Sequence, residues 1–341
     1  MEMLNSFSMM LKSDLWTKLI ELFANWITNY GWAIIVFTIA LKLVMSPLDI
    51  VQRNASQKQA KVMGVLQPEM DKLRQKYGND QARLNQETQK LYKRYGVNLG
   101  GMCLPMLLTM VLSLVIVFTL YGSVRKFGNE KLYDGYRQLD KTYIEVSAGK
   151  DVSDLTDDEK IVIEKELKEE YKDIKKEDSW LWVKNIWKSD TKTSQFVSFD
   201  SYAKHENFTA EEKVEAKERY DYITSTVTEG KKDNNGCYVL IILTAAISFL
   251  SQFISAKLLA PKGQKLTGMN KMMLFIIPIT MIILASTSNV LYTLYIITNS
   301  LMTTIISTIL SIIMKKKYKD DNIILQKKNV QVVEYSRNFK K

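Results

Sequence analysis

Long stretches without any charged residue alternate with strongly charged stretches along this chain. Residues 101–124, 234–256 and 272–314 contain no Asp, Glu, Lys or Arg. A helix needs about 20 apolar residues to cross a hydrocarbon core about 30 Å thick. The last stretch has 43 residues and would be about 65 Å long as one helix, so we expect it to fold back at residues 286–289. The pattern indicates a polytopic membrane protein and excludes a soluble enzyme and a disordered chain.

These stretches, together with an apolar stretch near the start of the chain, predict an all-α fold. We expect five transmembrane helices around a polar groove, a cytoplasmic helical hairpin and an extended extracytoplasmic loop domain. The predicted spans are residues 25–48, 101–122, 237–256, 272–288 and 290–314. An odd number of spans places the two termini on opposite sides of the membrane.

Residues 1–24 show a different pattern, in which apolar residues recur every three or four positions between charged ones. These apolar residues are Leu4, Phe7, Leu11, Leu15, Leu19 and Phe23. The spacing predicts an amphipathic helix that lies in the membrane interface. A signal peptide is the alternative, although the segment lacks a cationic start and a small-residue cleavage site.

The net charge of +10 is concentrated in three segments that predict the orientation of the chain. Residues 49–98 carry ten Lys or Arg against five acidic residues, residues 257–271 four against none, and residues 315–341 nine against three. Positive connections mark the cytoplasmic side. We therefore expect an N-terminus outside, a cytoplasmic loop at 257–271, a basic cytoplasmic tail at 315–341, and residues 123–236 as an extracytoplasmic insert.

Helix-forming composition and a turn signal at residues 77–80 predict that residues 49–98 form two helices. This hairpin is either a docking arm or a solvated structure whose charges only keep it soluble. In the insert, Thr156 and Thr209 each begin a capping-box pattern, which predicts two further helices.

Lys42 lies inside the first predicted span, where a charge is costly and usually faces a bundle interior or a water-filled cavity. Thr38 and Ser46 are four residues away on either side and share its helical face. The spans contain no acidic partner for Lys42, which argues against a proton-relay transporter. Snorkelling of the Lys42 side chain to the cytoplasmic headgroups is the competing interpretation.

Other predicted spans carry polar residues at helical spacing. With the face of Lys42, they predict a polar chamber that opens to the cytoplasm, although Ser and Thr in membrane helices more often serve packing. The candidate lining residues are Thr38, Lys42, Ser46, Thr109, Ser113, Ser248, Gln252, Tyr292, Tyr295 and Asn299. Two Cys and one His argue against a disulfide scaffold and a His-rich metal site. Gly100 and Gly101 lack the residues of a nucleotide-binding loop, so we expect no catalytic residues, metal or cofactor.

Several motifs resemble those of the YidC–Oxa–Alb family of membrane protein insertases, and of its five-span, Gram-positive-like bacterial members. The motifs are KLVMSPL at 42–48, LQPE at 66–69, YGVN at 95–98, GGMCLP at 100–105, WLWVKNI at 180–186, and residues 269–278 and 294–299. The family usually has Arg where this chain has Lys42, and its Gram-positive-like members have a shorter outside loop.

The resemblance implies an insertase of the bacterial cell membrane that inserts and folds nascent membrane proteins, alone or with the Sec translocon. It implies that a positive residue at position 42 attracts acidic residues of the client within a hydrophilic groove. It also implies that the hairpin and the basic tail contact the client, the ribosome or signal-recognition components. Two other functions stay open on the residues alone: a small-solute transporter or channel that uses Lys42 as an anion site, and an assembly scaffold.

Overall fold

The computed structural model describes residues 13–94, 99–228, 233–259 and 268–317. The helices are α1 (Ser13–Ile27), α2 (Tyr30–Tyr77), α3 (Gln81–Arg94), α4 (Leu99–Val146), α5 (Asp157–Asp178), α6 (Phe199–His205), α7 (Ala210–Thr228), α8 (Val239–Leu259), α9 (Gly268–Thr287) and α10 (Val290–Lys317). Strands β1 (Lys192–Thr193) and β2 (Asp233–Asn234) form one short antiparallel pair. The predicted apolar positions Leu4, Phe7 and Leu11, most of the loop 257–271, and residues 318–341 of the tail lie outside the described residues.

Within the described residues, four helical segments are long and apolar enough to cross a membrane. They are Tyr30–Ser56, Val111–Val146, Val239–Lys257 and Val290–Ile313. A further apolar segment, Leu274–Thr287, is shorter than the roughly 20 residues that a spanning helix needs. The predicted polytopic helical architecture is confirmed, whereas the crossing predicted at residues 272–288 stays a prediction.

The chain divides into two compact units. The first unit comprises the described parts of residues 1–41, 115–248 and 276–299. The second comprises those of residues 42–114, 249–275 and 300–341.

In the first unit, α1 packs against protein through one face. Trp16, Ile20 and Ala24 are buried, and the predicted apolar residue Leu15 is exposed. The indole Nε1 of Trp16 donates to Thr119 Oγ1 of α4 at 3.1 Å. The buried face is therefore one position away from the face that the sequence pattern predicted.

The first spanning helix, α2, begins five residues after the predicted start at residue 25. The helical backbone is interrupted at Thr28, which has a left-handed φ of 64°. Asn29 then caps the new helix, because its Oδ1 accepts the N–H of Gly31 at 3.0 Å. A side chain that accepts an otherwise unpaired N–H favours a helix start, so the beginning of α2 is defined by this cap.

Of the predicted hairpin at residues 49–98, the structure describes residues 49–94. They form two helical arms in the second unit, with a turn at residues 78–80 between α2 and α3. Leu66 and Leu91 are buried, and Tyr92 Oη donates to Met70 Sδ at 3.5 Å. The first span does not end as a helix at residue 48, because α2 runs unbroken into the first arm of the hairpin.

The insert begins without a break, since α4 continues past the predicted boundary at residue 122 to Val146. Both predicted capping boxes are present in the insert. Thr156 and Glu159 exchange their hydrogen bonds at the start of α5, as do Thr209 and Glu212 at the start of α7.

Aromatic side chains form much of the core of the insert. The ring of Tyr136 lies 4.6 Å from that of Tyr202 and 4.8 Å from that of Tyr220. All three are buried, together with Ile163 and Leu167 of α5. The other helices of the insert therefore pack against the C-terminal half of α4.

A loop of residues 179–190, which we call the capping loop, bonds to residues at the starts of α2 and α8. The carbonyl of Ser179 accepts Asn29 Nδ2 at 3.1 Å, immediately before α2. The buried carboxylate of Asp190 accepts the N–H of Leu240 at 2.6 Å, in the first turn of α8.

The same loop caps α10 with two backbone carbonyls. The N–H of Val290 donates to the carbonyl of Lys188 at 2.8 Å, and the N–H of Leu291 donates to that of Ile186 at 3.2 Å. The first N–H groups of a helix have no partner inside it. One loop therefore supplies hydrogen-bond acceptors at the starts of three helices of this unit.

The three tryptophans of this region differ in their environment. Trp180 and Trp187 are buried, whereas Trp182 is 47% exposed. Trp180 lies so close to Gly31 of α2 that a Cβ at that glycine would be 2.2 Å from its ring. The capping loop is thus held by packing as well as by hydrogen bonds.

Candidate functional site

Lys42 lies near the middle of the segment Tyr30–Ser56, in the part of α2 that belongs to the second unit. Its side chain is 17% exposed, and its Nζ lies 3.7 Å from Oδ2 of Asp49. Seven residues make about two helical turns, which brings both side chains to one face. The expectation that Lys42 has no acidic partner in a span is therefore wrong. The partner was missed because the span was predicted to end at residue 48, whereas the helix continues.

Ser46 lies between these two residues on the same face of α2. Its Oγ donates to the carbonyl of Leu43 at 2.8 Å. A hydroxyl bonded to its own helix needs no outside partner to be satisfied in an apolar setting. Ser46 therefore adds a polar group beside Lys42 without competing for its charge.

Arg53 continues this face and was not identified from the sequence. Its side chain is buried, and its Nε and Nη2 donate to Ser311 Oγ of α10 at 3.0 and 2.5 Å. Ser311 in turn donates to the carbonyl of Ser307. Spacings of four, three and four residues link positions 42, 46, 49 and 53, and this periodicity was the signal that could have found Arg53.

The second unit contains one further polar contact, between α10 and α8, and other residues that the sequence predicts for the groove. Thr304 Oγ1 of α10 donates to Ser251 Oγ of α8 at 2.6 Å. The predicted groove residue Gln252 is half-buried, and Ser113 of α4 is exposed. The side chain of Thr109 lies outside the described residues. Polar side chains thus occur on α2, α4, α8 and α10 of this unit.

The other predicted groove residues lie in the first unit, and most are buried there. Thr38, Ser248, Tyr292 and Tyr295 are each less than 5% exposed, and Asn299 is half-buried. The structure therefore places these four in a packed interior of their own unit.

Hydrogen bonds account for part of that burial. Thr38 Oγ1 donates to the carbonyl of Ile34 at 2.6 Å, and Tyr292 Oη donates to that of Val117 at 3.1 Å. The Tyr292 ring also meets Tyr121 at 5.1 Å. Buried hydroxyl groups need such partners, and both residues fit a structural role in helix packing.

Two ionisable groups at the capping loop have unusual pKa values. Burial raises the pKa of Asp178 to about 6, although the hydrogen bond from Trp187 Nε1 lowers it. Burial lowers the pKa of Lys188 to about 8. Its Nζ donates to the carbonyl of Phe196 at 2.6 Å. Both groups lie at the capping loop, and their shifted pKa values predict that the stability of this region changes with pH.

A metal site was not expected from the sequence. Within the described ranges, no group of three or more His, Cys, Asp or Glu side chains is arranged to hold a metal ion. The chemistry that this region offers is electrostatic, through Lys42, Asp49 and Arg53.

Comparison with known proteins identifies relatives of the chain. The sequence model of the family described as 60Kd inner membrane protein matches residues 22–320. A protein of Syntrophus aciditrophicus named membrane protein insertase YidC is 47% identical over 100 residues, which are 29% of this chain and 17% of that protein. Proteins with the same name from Fusobacterium nucleatum and Caldanaerobacter subterraneus are 41% and 38% identical over 101 and 110 residues.

These alignments cover only part of each relative. They include 30% and 32% of this chain for the last two proteins, and 45% and 50% of those proteins themselves. The chain therefore matches at most half the length of these curated relatives, and in the longer ones less than a fifth.

Proposed function

The chain belongs to the 60Kd inner membrane protein family, and from this membership we propose that it is a membrane protein insertase. It inserts membrane proteins into the bilayer and helps them fold by admitting their polar segments to a hydrophilic groove. The observation that carries the proposal is the half-buried cation Lys42 in an apolar helix, within the part of the chain that matches the family.

The groove lowers the cost of moving a polar segment into the membrane. An unpaired amide or hydroxyl group costs several kcal/mol in hydrocarbon, on the order of 2–7 kcal/mol by transfer measurements. Polar side chains and water inside a groove offset this cost for the part of the client that must cross. The apolar part of the client then moves into lipid because that transfer is favourable.

Of the ten predicted residues, we assign the groove lining to those of the second unit, with Lys42 as the residue that attracts client carboxylates. They are Lys42, Ser46, Thr109, Ser113 and Gln252. Thr38, Ser248, Tyr292 and Tyr295 have a packing role in this proposal, since they are buried in the first unit. The insertase breaks no covalent bond, so the proposal requires neither catalytic residues nor a cofactor.

The protein is a multi-pass bacterial membrane protein, as its relatives and its apolar helices indicate. We propose that its N-terminus is outside and its C-terminus is in the cytoplasm, because the basic segments alternate along the chain in that order. The transporter or channel alternative has no observation in its favour.

The partners in this proposal are nascent membrane proteins, the lipid bilayer, the ribosome and, for some clients, the Sec translocon or signal-recognition components. The basic tail at residues 315–341 has nine Lys or Arg and should bind the anionic ribosome with strong dependence on salt. Co-sedimentation of detergent-solubilised protein with ribosomes, with and without residues 315–341, measures this contact. Equal sedimentation of both forms at low and high salt would show that the tail only enforces topology.

Reconstitution tests the function itself. The purified full-length chain in liposomes should insert a small model client, measured as a protease-protected fragment, several times more than protein-free liposomes do. The matched control is a liposome that contains an equal mass of an unrelated polytopic membrane protein. Equal protection in the three preparations would contradict the insertase function.

A further inference from the structure

The charged groups of Lys42 and Asp49 lie close together without a hydrogen bond between them. The two charged atoms are 3.7 Å apart, and the side chains are 17% and 26% exposed. Oδ2 of Asp49 is buried, and no described residue donates a hydrogen bond to it. The contact is therefore an ion pair without the hydrogen bond that usually completes such a pair.

The neighbouring cation does not share this carboxylate. Arg53, one turn further along α2, bonds to the neutral hydroxyl of Ser311. Among the described residues, Asp49 has its ion pair with Lys42 and not with Arg53. The negative charge of Asp49 is thus directed to the one cation that the proposed function assigns to the client.

We infer that Asp49 is a resident counter-ion of Lys42, which an acidic residue of the client must displace. This inference rests on the proposed insertase function and adds a residue that determines its specificity. Opposite charges this close attract each other more strongly in a partly buried setting than they do in bulk water. A client carboxylate replaces an attraction of similar size rather than meeting a bare ammonium group.

This exchange explains how the attraction for clients stays modest. Without Asp49, a partly buried ammonium group would hold a client carboxylate strongly and slow its release into lipid. With Asp49 present, the net gain is the difference between two similar ion pairs. The pair of Lys42 with Asp49 lacks a hydrogen bond at Oδ2, whereas a well-placed client carboxylate can form one with Lys42. The client carboxylate can therefore compete with Asp49.

The test uses two clients that differ only by Asp or Asn at one position of the translocated segment. A photoreactive amino acid next to that position reports occupancy of the groove, with the full-length insertase in liposomes. Asp49→Asn keeps the size of the side chain and removes its charge. We expect it to raise cross-linking of the acidic client by at least about fivefold, the lower end of typical coupling energies, and to leave the neutral client unchanged.

Two further variants test whether the effect depends on the negative charge at position 49 and on the positive charge at position 42. Asp49→Glu keeps the competing carboxylate and should leave the acidic client near its wild-type level. Lys42→Gln combined with Asp49→Asn should abolish the preference for the acidic client. Val44→Ala is the control and should change neither client, because Val44 is an exposed residue of the same helix outside the assigned lining.

The outcomes separate this inference from the function on which it rests. If Asp49→Asn raises both clients equally, or neither, while the wild-type protein inserts both, Asp49 is not a competitor and the insertase function stands. If the wild-type protein inserts neither client, the proposed function itself fails. If the Asp49→Asn protein does not fold, the test uses Asp49→Glu and the single variant Lys42→Gln. A preference for the acidic client that persists in Lys42→Gln would overturn the inference.

Discussion

Lys42 carries a positive charge in the middle of an apolar helix, and its charge rather than its shape should matter for insertion. We expect Lys42→Arg to retain insertion, because the cation and its reach are kept. Lys42→Ala removes the cation, and Lys42→Glu places a second carboxylate near Asp49, where like charges repel. Both should impair clients with acidic translocated segments more than matched neutral clients.

Insertion assays in liposomes with such client pairs measure the effect, with Val44→Ala, at an exposed position of the same helix, as the control. Wild-type insertion of both clients by the Lys42→Glu protein would remove the groove charge from the mechanism. Snorkelling to the headgroups would then be the better account of this residue.

The raised pKa of Asp178 predicts that the stability of the protein depends on pH. Burial raises this pKa to about 6 from a usual value of 3.8. Between these values the folded state binds more protons than the unfolded state, so this group lowers stability as pH rises from about 4 to about 6. Asp178→Asn removes this penalty and keeps an oxygen for Trp187 Nε1. The difference in Tm, variant minus wild type, should therefore grow between pH 4 and pH 7.

Thermal unfolding of the full-length protein in detergent, followed across that pH range, gives this difference. Asp173→Asn is the control, since Asp173 is an exposed carboxylate on the same helix, α5. A difference in Tm for Asp178→Asn that is constant with pH would contradict the raised pKa.

At the scale of single elements, two glycines in helices of the first unit provide a matched pair. A Cβ at Gly31 would lie 2.2 Å from the Trp180 ring, whereas a Cβ at Gly122 would have no atom within 4 Å. We expect Gly31→Ala to destabilise the protein by about 1–3 kcal/mol through overpacking. Gly122→Ala should be neutral or stabilising by up to about 1 kcal/mol, because alanine favours a helix.

Thermal unfolding of both variants in one detergent makes the comparison direct. A similar loss of stability in both would indicate a general intolerance of α2 and α4 to substitution. It would contradict the close packing of the capping loop on α2.

The helices were predictable from the sequence where their signals are local. The capping boxes at Thr156 and Thr209 and the turn after Tyr77 each lie within a few residues, and each was found. Asp190 and Leu240 are 50 residues apart, and no local pattern links such a cap to its helix.

The ends of the spans were less predictable for a different reason. Hydropathy reports where a helix enters and leaves lipid, but a helix ends only where its hydrogen bonds or its caps end. Both α2 and α4 continue beyond their predicted spans, and this continuity brought Asp49 and Arg53 onto the face of Lys42. A sequence-based search that stops at the edge of a span misses these two residues.

At the scale of the whole molecule, the charge distribution predicts the topology. We expect Lys76 and Lys341 to face the cytoplasm and Lys172 to face outside, since short basic connections are retained inside. Single cysteines at these positions, in a protein without Cys103 and Cys237, can be labelled in intact cells with a membrane-impermeant reagent. Position 172 should react readily, and positions 76 and 341 only after the cells are opened.

Lysed cells serve as the control for the reactivity of each cysteine. Ready labelling at position 76 in intact cells would reverse the assignment of the hairpin. It would also place the basic hairpin on the side of the membrane where no ribosome is present.

The capping loop has a consequence for energy conservation in the cell. Bacteria store energy as an electrochemical gradient, and a protein that admits polar segments into the bilayer risks a leak of ions. In the first unit, hydrogen bonds from one loop reach the starts of α2, α8 and α10, so separating any of these starts from the loop breaks hydrogen bonds. For the proposed insertase, client movement that leaves these bonds intact would keep these helix starts attached to one loop, which would limit such a leak.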